Sequence, residues 1–103
     1  MINNPGVPRL RSFDGCPSPY LNKTFDKLIA ENPNEQWLAS LETNRGCPFS
    51  CTYCDWGSAI NSKVARFEMN RIYSELEWFS KMKIEFIFCC DANFGMLPRD
   101  YDI

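Results

Sequence analysis

The chain has 103 residues, of which 45% are apolar and 23% are charged, and its formal net charge is −2. This composition is ordinary for a globular protein and excludes a wholly disordered or collagen-like chain. The weak negative charge gives no basic footprint for nucleic acid or an anionic membrane. No apolar run approaches the ~20 residues of a membrane-spanning helix, and the N-terminus shows no secretory signal. The length corresponds to one domain or part of one.

Residues 1–35 are predicted to form an irregular, proline-rich linker. They hold five of the seven prolines, and each proline removes a backbone donor and disfavours helix in the residue before it. A short helix is predicted inside this linker from Thr24 to Ala30, capped by Asn22 or Thr24. A separate unit, the core domain, is predicted over residues 36–103.

Two strands are predicted in that unit. Trp37–Thr43 alternates in polarity, which favours a half-buried strand with Trp37, Ala39 and Leu41 facing one way. Ile84–Cys90 is almost continuously apolar, which is typical of a strand covered on both faces.

One long helix is predicted between the strands, over Met69–Met82. Ile72, Leu76 and Phe79 give it an apolar stripe at helical spacing. Arg71 and Glu75 are four residues apart, so they are expected to pair on its exposed side.

The order of strand, helix and strand predicts a βαβ unit with parallel strands and a right-handed crossover. Two strands and one helix do not close a core, and a full (β/α) barrel takes about 250 residues. The predicted fold class is therefore α/β, as the N-terminal portion of a partial (β/α) TIM-like barrel preceded by the linker. On this interpretation the chain is part of a larger domain.

Six cysteines and no histidine set the available chemistry. The lack of histidine excludes a histidine base, a Ser-His-Asp triad and histidine metal ligands. Cys47, Cys51 and Cys54 lie within one predicted loop after the first strand. Three thiolates suit either an iron–sulfur cluster or zinc, and Cys51 with Cys54 alone has the spacing of a redox pair.

The number of ligands separates the first two options. A structural zinc site takes four ligands, so zinc would need a further thiolate from Cys16, Cys89 or Cys90. A four-iron cluster held by three thiolates keeps one iron open to bind another molecule. Cys89 and Cys90, inside an apolar strand, are otherwise typical of small buried hydrophobic residues.

The pattern Cys47-x-x-x-Cys51-x-x-Cys54, with an aromatic residue at Tyr53, resembles the radical S-adenosylmethionine (SAM) superfamily. The wider run from Glu42 to Gly57 is most similar to the branch that carries an upstream cobalamin-binding domain. Pro17-Ser-Pro-Tyr-Leu21 resembles the linker that precedes the core in that branch.

The resemblance implies a set of site residues. Cys47, Cys51 and Cys54 would ligate a [4Fe-4S] cluster, whose fourth iron would bind the amino and carboxylate groups of SAM. Reduction of SAM would then give methionine and a 5′-deoxyadenosyl radical that acts on an unknown substrate. The backbone at Tyr53 would contact adenine. The segment Asp91, Ala92 and Asn93 stands where the family binds the methionyl amino group, and it departs from the common Gly-Gly-Glu.

The resemblance also implies partners. These are an electron donor such as flavodoxin or ferredoxin, and cobalamin bound by a domain outside these residues. Oxygen-sensitive cluster chemistry favours a cytoplasmic location. This chain by itself is expected to hold a cluster but to turn over poorly. Two alternatives from other classes stay open, namely a small zinc-binding module and an electron-transfer iron–sulfur protein.

Overall fold

The computed structural model describes residues 12–13, 15–54 and 63–103. Residues 1–11 of the predicted linker lie outside these ranges. So do residues 55–57, the end of the run from Glu42 to Gly57 that resembles the family. The elements are α1 (Asp26–Glu31), β1 (Leu38–Leu41), β2 (Asn44–Arg45), β3 (Ala65–Arg66), α2 (Met69–Lys81), β4 (Phe86–Cys89) and a 3₁₀ helix (Pro98–Asp102).

Strands β1 and β4 form a parallel pair, with Leu38 opposite Phe86 and Leu41 opposite Cys89. Helix α2 lies between them in the chain, so the predicted βαβ order and parallel pairing are confirmed. The described residues thus form a small α/β unit.

The apolar stripe of α2 holds the core together, as predicted. Phe79 packs with Ala39 and Leu41 of β1, while Ile72 packs with Phe13 and Phe67. Phe79 and Ile72 are each only 1% exposed. Complete burial of such side chains contributes about 1.5–3 kcal/mol each.

The described part of the linker packs onto this core. Tyr20 meets Phe79 edge-on, with ring centroids 4.7 Å apart, and its hydroxyl donates a hydrogen bond of 2.6 Å to the carbonyl of Ser40. Phe13 stacks on Phe67 with a centroid distance of 4.9 Å. Residues before position 36 therefore contribute to the core, and the division at residue 35 stays a prediction.

Helix α1 begins later than predicted. Its N-cap is Phe25, with no side-chain cap, so the predicted cap at Asn22 or Thr24 is wrong. The Asn22 side chain instead accepts a hydrogen bond of 3.1 Å from the backbone N–H of Thr24. This bond closes a local turn before the helix, which competes with capping.

The pair of Arg71 and Glu75 forms, at 3.0 Å, but not on the exposed side of α2. The side chains are only 21% and 6% exposed. The reason is that residues near Phe13 cover this face: Arg71 donates to the carbonyl of Cys16 (2.6 Å) and lies over the ring of Phe67, 4.4 Å from its centroid.

Strand β4 also differs from its prediction of cover on both faces. Phe86 and Phe88 are 58% and 57% exposed. Among the described elements, only β1 pairs with it, so the apolar run signals burial that these elements do not supply.

Candidate cluster and cofactor site

The candidate site lies where β1 and β4 end. The carboxyl ends of parallel strands meet at one edge of a sheet, where α/β proteins place their ligands. Thr43 and Asn44 follow β1 at this edge, and Cys90 and Asp91 follow β4. The hydrogen bonding between the two strands extends to Cys90, whose N–H donates to the carbonyl of Leu41 over 2.8 Å.

The carboxylate of Asp91 joins the two strand exits. One oxygen accepts from the backbone N–H groups of Thr43 (2.7 Å) and Asn44 (3.1 Å). The other accepts from the Thr43 hydroxyl and from Nδ2 of Asn44, the latter over 2.8 Å. Thr43 and Asn44 are fully buried. Buried donors need partners, and bonds to an ionised acceptor are the stronger kind, so Asp91 holds this edge in place.

Arg99 fixes the same junction from the 3₁₀ helix. It donates to the carbonyls of Thr43 (2.8 Å) and Phe67 (2.6 Å), and the N–H of Phe67 also donates to Thr43 over 3.1 Å. Thr43, Asn44 and Arg99 were not predicted from the sequence as site residues. A polar pair directly after an apolar strand was the available signal for the first two, whereas Arg99 had none, because its acceptors are distant backbone carbonyls.

The cysteine loop begins at Gly46. Its φ of 117° lies in the left-handed region that favours glycine, and it turns the chain out of β2 into Cys47. Within residues 47–54 the structure describes one backbone hydrogen bond, from the N–H of Cys54 to the carbonyl of Cys51 (3.2 Å). Cys51 is exposed, and Tyr53 is 90% exposed. The sheet edge is therefore fixed while the loop beside it is open.

A cavity of about 500 Å³ separates this loop from the end of β4. All seven residues predicted for the site line it, namely Cys47, Cys51, Tyr53, Cys54, Asp91, Ala92 and Asn93. Cys89 and Cys90 line it too. The fold thus brings the two predicted segments together, although their individual roles stay predictions.

The donor chemistry of the cavity fits a thiolate-bound metal group. All six cysteines are free thiols. Within the described ranges, no three cysteine or carboxylate side chains already form a group that could hold a metal ion. An exposed loop with few internal bonds can close around such a group, because metal binding and local folding are coupled.

Cys89 and Cys16 are less suited to be ligands. Burial raises the pKa of the Cys89 thiol, outweighing a backbone hydrogen bond from Asp91 that lowers it, and a raised pKa disfavours the thiolate that binds metals. Cys16 packs instead against the hydrophobic core residues Phe13, Phe67 and Ile72.

No protein-family model matches the chain. Among curated proteins, the cobalamin-dependent radical SAM methyltransferase TokK of Streptomyces tokunonensis is 46% identical over 104 residues, which is 99% of this chain. The 2-(S-pantetheinyl)-carbapenam-3-carboxylate methyltransferase of Streptantibioticus cattleyicolor is 47% identical over 103 residues, or 96% of this chain. The chain spans 15% of the length of each of these relatives.

This similarity confirms the resemblance to the radical SAM superfamily and to its cobalamin-dependent branch. The chain is homologous, over nearly all its residues, to one segment of a radical SAM methyltransferase. In the part of the chain that the structure describes, no helix is long and apolar enough to cross a membrane.

Proposed function

We propose that this chain is the [4Fe-4S] and SAM-binding segment of a radical SAM enzyme. One observation carries the proposal. Three free thiols with the spacing Cys47-x-x-x-Cys51-x-x-Cys54 open onto one cavity, at the carboxyl edge of two parallel strands. The homology to a radical SAM methyltransferase supports the same assignment.

In this proposal the three cysteines hold the cluster and the opposite wall holds SAM. A bound, reduced cluster supplies the electron that cleaves the sulfonium of SAM. Tyr53 lies at the adenine end, and the segment 91–93 lies at the methionyl end. Asp91 contributes negative charge to the methionyl ammonium while its oxygens keep the strand exits together.

We propose that the βαβ unit is the first part of a (β/α) barrel, in a core that begins near residue 36. The parallel pairing of β1 with β4 supports this. So does the exposure of Phe86 and Phe88, because further barrel elements would cover such side chains.

For the whole protein we propose a cobalamin-dependent methyl transfer, by analogy with the named activity of the relatives. A carbapenam carboxylate is the first methyl acceptor to test, since one relative is named for that substrate. We propose a cytoplasmic setting and an electron donor of the flavodoxin or ferredoxin class.

The test is anaerobic reconstitution with iron and sulfide, followed by electron paramagnetic resonance of the reduced protein with and without SAM. The proposal expects a four-iron signal that changes when SAM is added, because one iron is open to it. A four-iron signal that ignores SAM favours electron transfer. Zinc without iron overturns the proposal.

A structural zinc site is the second candidate, because Cys89 and Cys90 line the same cavity as the three loop cysteines. Metal analysis of Cys89→Ser and Cys90→Ser separates the two. A zinc site with its fourth ligand there loses metal in one of these variants, whereas the proposed cluster keeps its iron in both.

A further inference from the structure

Asn93 contacts one of the three loop cysteines directly. Its side-chain Nδ2 donates a hydrogen bond of 3.2 Å to Sγ of Cys47. The two residues come from opposite walls of the cavity, 46 positions apart in the chain. This bond therefore links the loop after β4 to the start of the cysteine loop.

The backbone around Asn93 is fixed on both sides. Two residues earlier, Asp91 is bonded to Thr43 and Asn44. On the other side, the buried carboxylate of Asp100 accepts from the N–H groups of Gly95 and Leu97, both over 3.0 Å. Asn93 is thus presented to the cavity by an anchored loop, and its amide is preorganised as a donor.

We infer that Asn93 sets the reduction potential of the cluster by donating a hydrogen bond to the sulfur of Cys47. The inference rests on the proposed role of Cys47 as a ligand. A donor at a ligating thiolate stabilises negative charge, and reduction adds one negative charge to the cluster. The potentials of iron–sulfur clusters depend on such bonds. Asn93 is therefore a positioning and tuning residue, in addition to any contact it makes with SAM.

The test is a redox titration of the reconstituted full chain, without SAM, following the reduced signal against applied potential. Asn93→Ala removes the donor, so we expect a more negative midpoint potential. The expected change in the oxidised-to-reduced ratio at a fixed potential is about tenfold, which for one electron is ~59 mV. Asn93→Asp removes the donor and adds negative charge, so it should shift further in the same direction.

Asn34→Ala is the matched control, because it deletes the same amide from an exposed turn in the linker and should leave the midpoint unchanged. Equal midpoints for the wild type, Asn93→Ala and Asn93→Asp, each with a full cluster, would overturn the inference. If only their response to SAM changed, Asn93 would be a SAM ligand without a tuning role, which also overturns it. In both cases a wild-type cluster that responds to SAM leaves the proposed function standing.

Discussion

The inner face of α2 and the cysteine loop differ in how much of their side chains the rest of the chain covers. Ile72 and Phe79 are each 1% exposed, whereas Tyr53 in the loop is 90% exposed. The helix face is completed by other parts of the chain, including Phe13 and Tyr20 from the linker. The loop is not, since Cys51 remains exposed. The first region is a packed scaffold, and we expect the second to gain order from the group that it is proposed to bind.

The boundary between the two regions is sharp. Thr43 and Asn44 are fully buried and bonded to Asp91. After the positive φ of Gly46, Cys47 is half-buried, and the exposed residues of the loop begin at Pro48. In the proposed site the sheet edge stays fixed while the cysteine loop adjusts to the cluster, so changes in the two regions should have separable effects.

The largest effect is expected from Cys51→Ser. Loss of one of three thiolates should lower the iron and sulfide content after reconstitution by at least about tenfold. The stability of the metal-free chain should not change, because Cys51 is exposed. Cys90→Ser, also at an exposed cavity cysteine, is the control and should keep the cluster. Equal loss of iron in both variants would argue for a different ligand set.

Phe79→Ala tests the scaffold. Removing a buried phenylalanine that packs on β1 costs about 3–5 kcal/mol of unfolding free energy, measured by urea denaturation of the metal-free chain. Phe88→Ala removes the same side chain from an exposed position in β4 and should cost less than about 1 kcal/mol. Similar losses in the two variants would contradict the distinction between buried and exposed faces.

Asp91→Asn tests the hydrogen bonds that join the end of β1 to the end of β4. An amide presents one acceptor oxygen in place of two, so buried donors of Thr43 and Asn44 lose partners. We expect a loss of about 1–3 kcal/mol of unfolding free energy and a lower yield of cluster. Asp102→Asn changes an exposed carboxylate and should stay within about 0.5 kcal/mol of the wild type. If Asp91→Asn were equally neutral, Asp91 would not hold the strand exits together.

Tyr20→Phe should have the smallest effect. Loss of the hydroxyl that bonds Ser40 should cost about 1 kcal/mol at neutral pH. Tyr101→Phe, at a tyrosine that is 84% exposed, is the control.

Tyr20→Phe should also change how the free energy of unfolding depends on pH. Burial raises the pKa of Tyr20 above its usual value, against the effect of the hydrogen bond with Ser40 that lowers it. The folded state therefore holds this proton more tightly than the unfolded state. Its contribution to stability is full below pH ~10, the unfolded pKa, and is lost as the pH rises through the higher folded pKa. Urea denaturation across this range should show a shallower alkaline loss for Tyr20→Phe, and equal slopes would contradict the assignment.

The sequence predicted the features that depend on local periodicity. The stripe of α2, the inner face of β1 and the βαβ order follow from residue spacing, and each is confirmed. The family resemblance follows from the three cysteines and their flanking residues, which are local as well.

The features that sequence reasoning missed depend on contacts across the chain. Strands β2 and β3 are two residues each and pair Asn44 with Arg66, so neither has a periodic signal. The cover of Arg71 and Glu75 comes from linker residues far away in sequence. Asp91 was placed in the site by the family resemblance, but its structural role was missed because its bonds to Thr43 and Asn44 span 47 or more positions.

The most direct test of the account is amide hydrogen exchange on the chain before and after anaerobic cluster reconstitution. Exchange reports local opening. We predict that residues 47–54 become protected when the cluster binds, while the protection of α2 stays the same. Unchanged exchange in residues 47–54, in a protein shown to contain the four-iron cluster, would contradict the claim that this loop is the cluster site on a scaffold already folded.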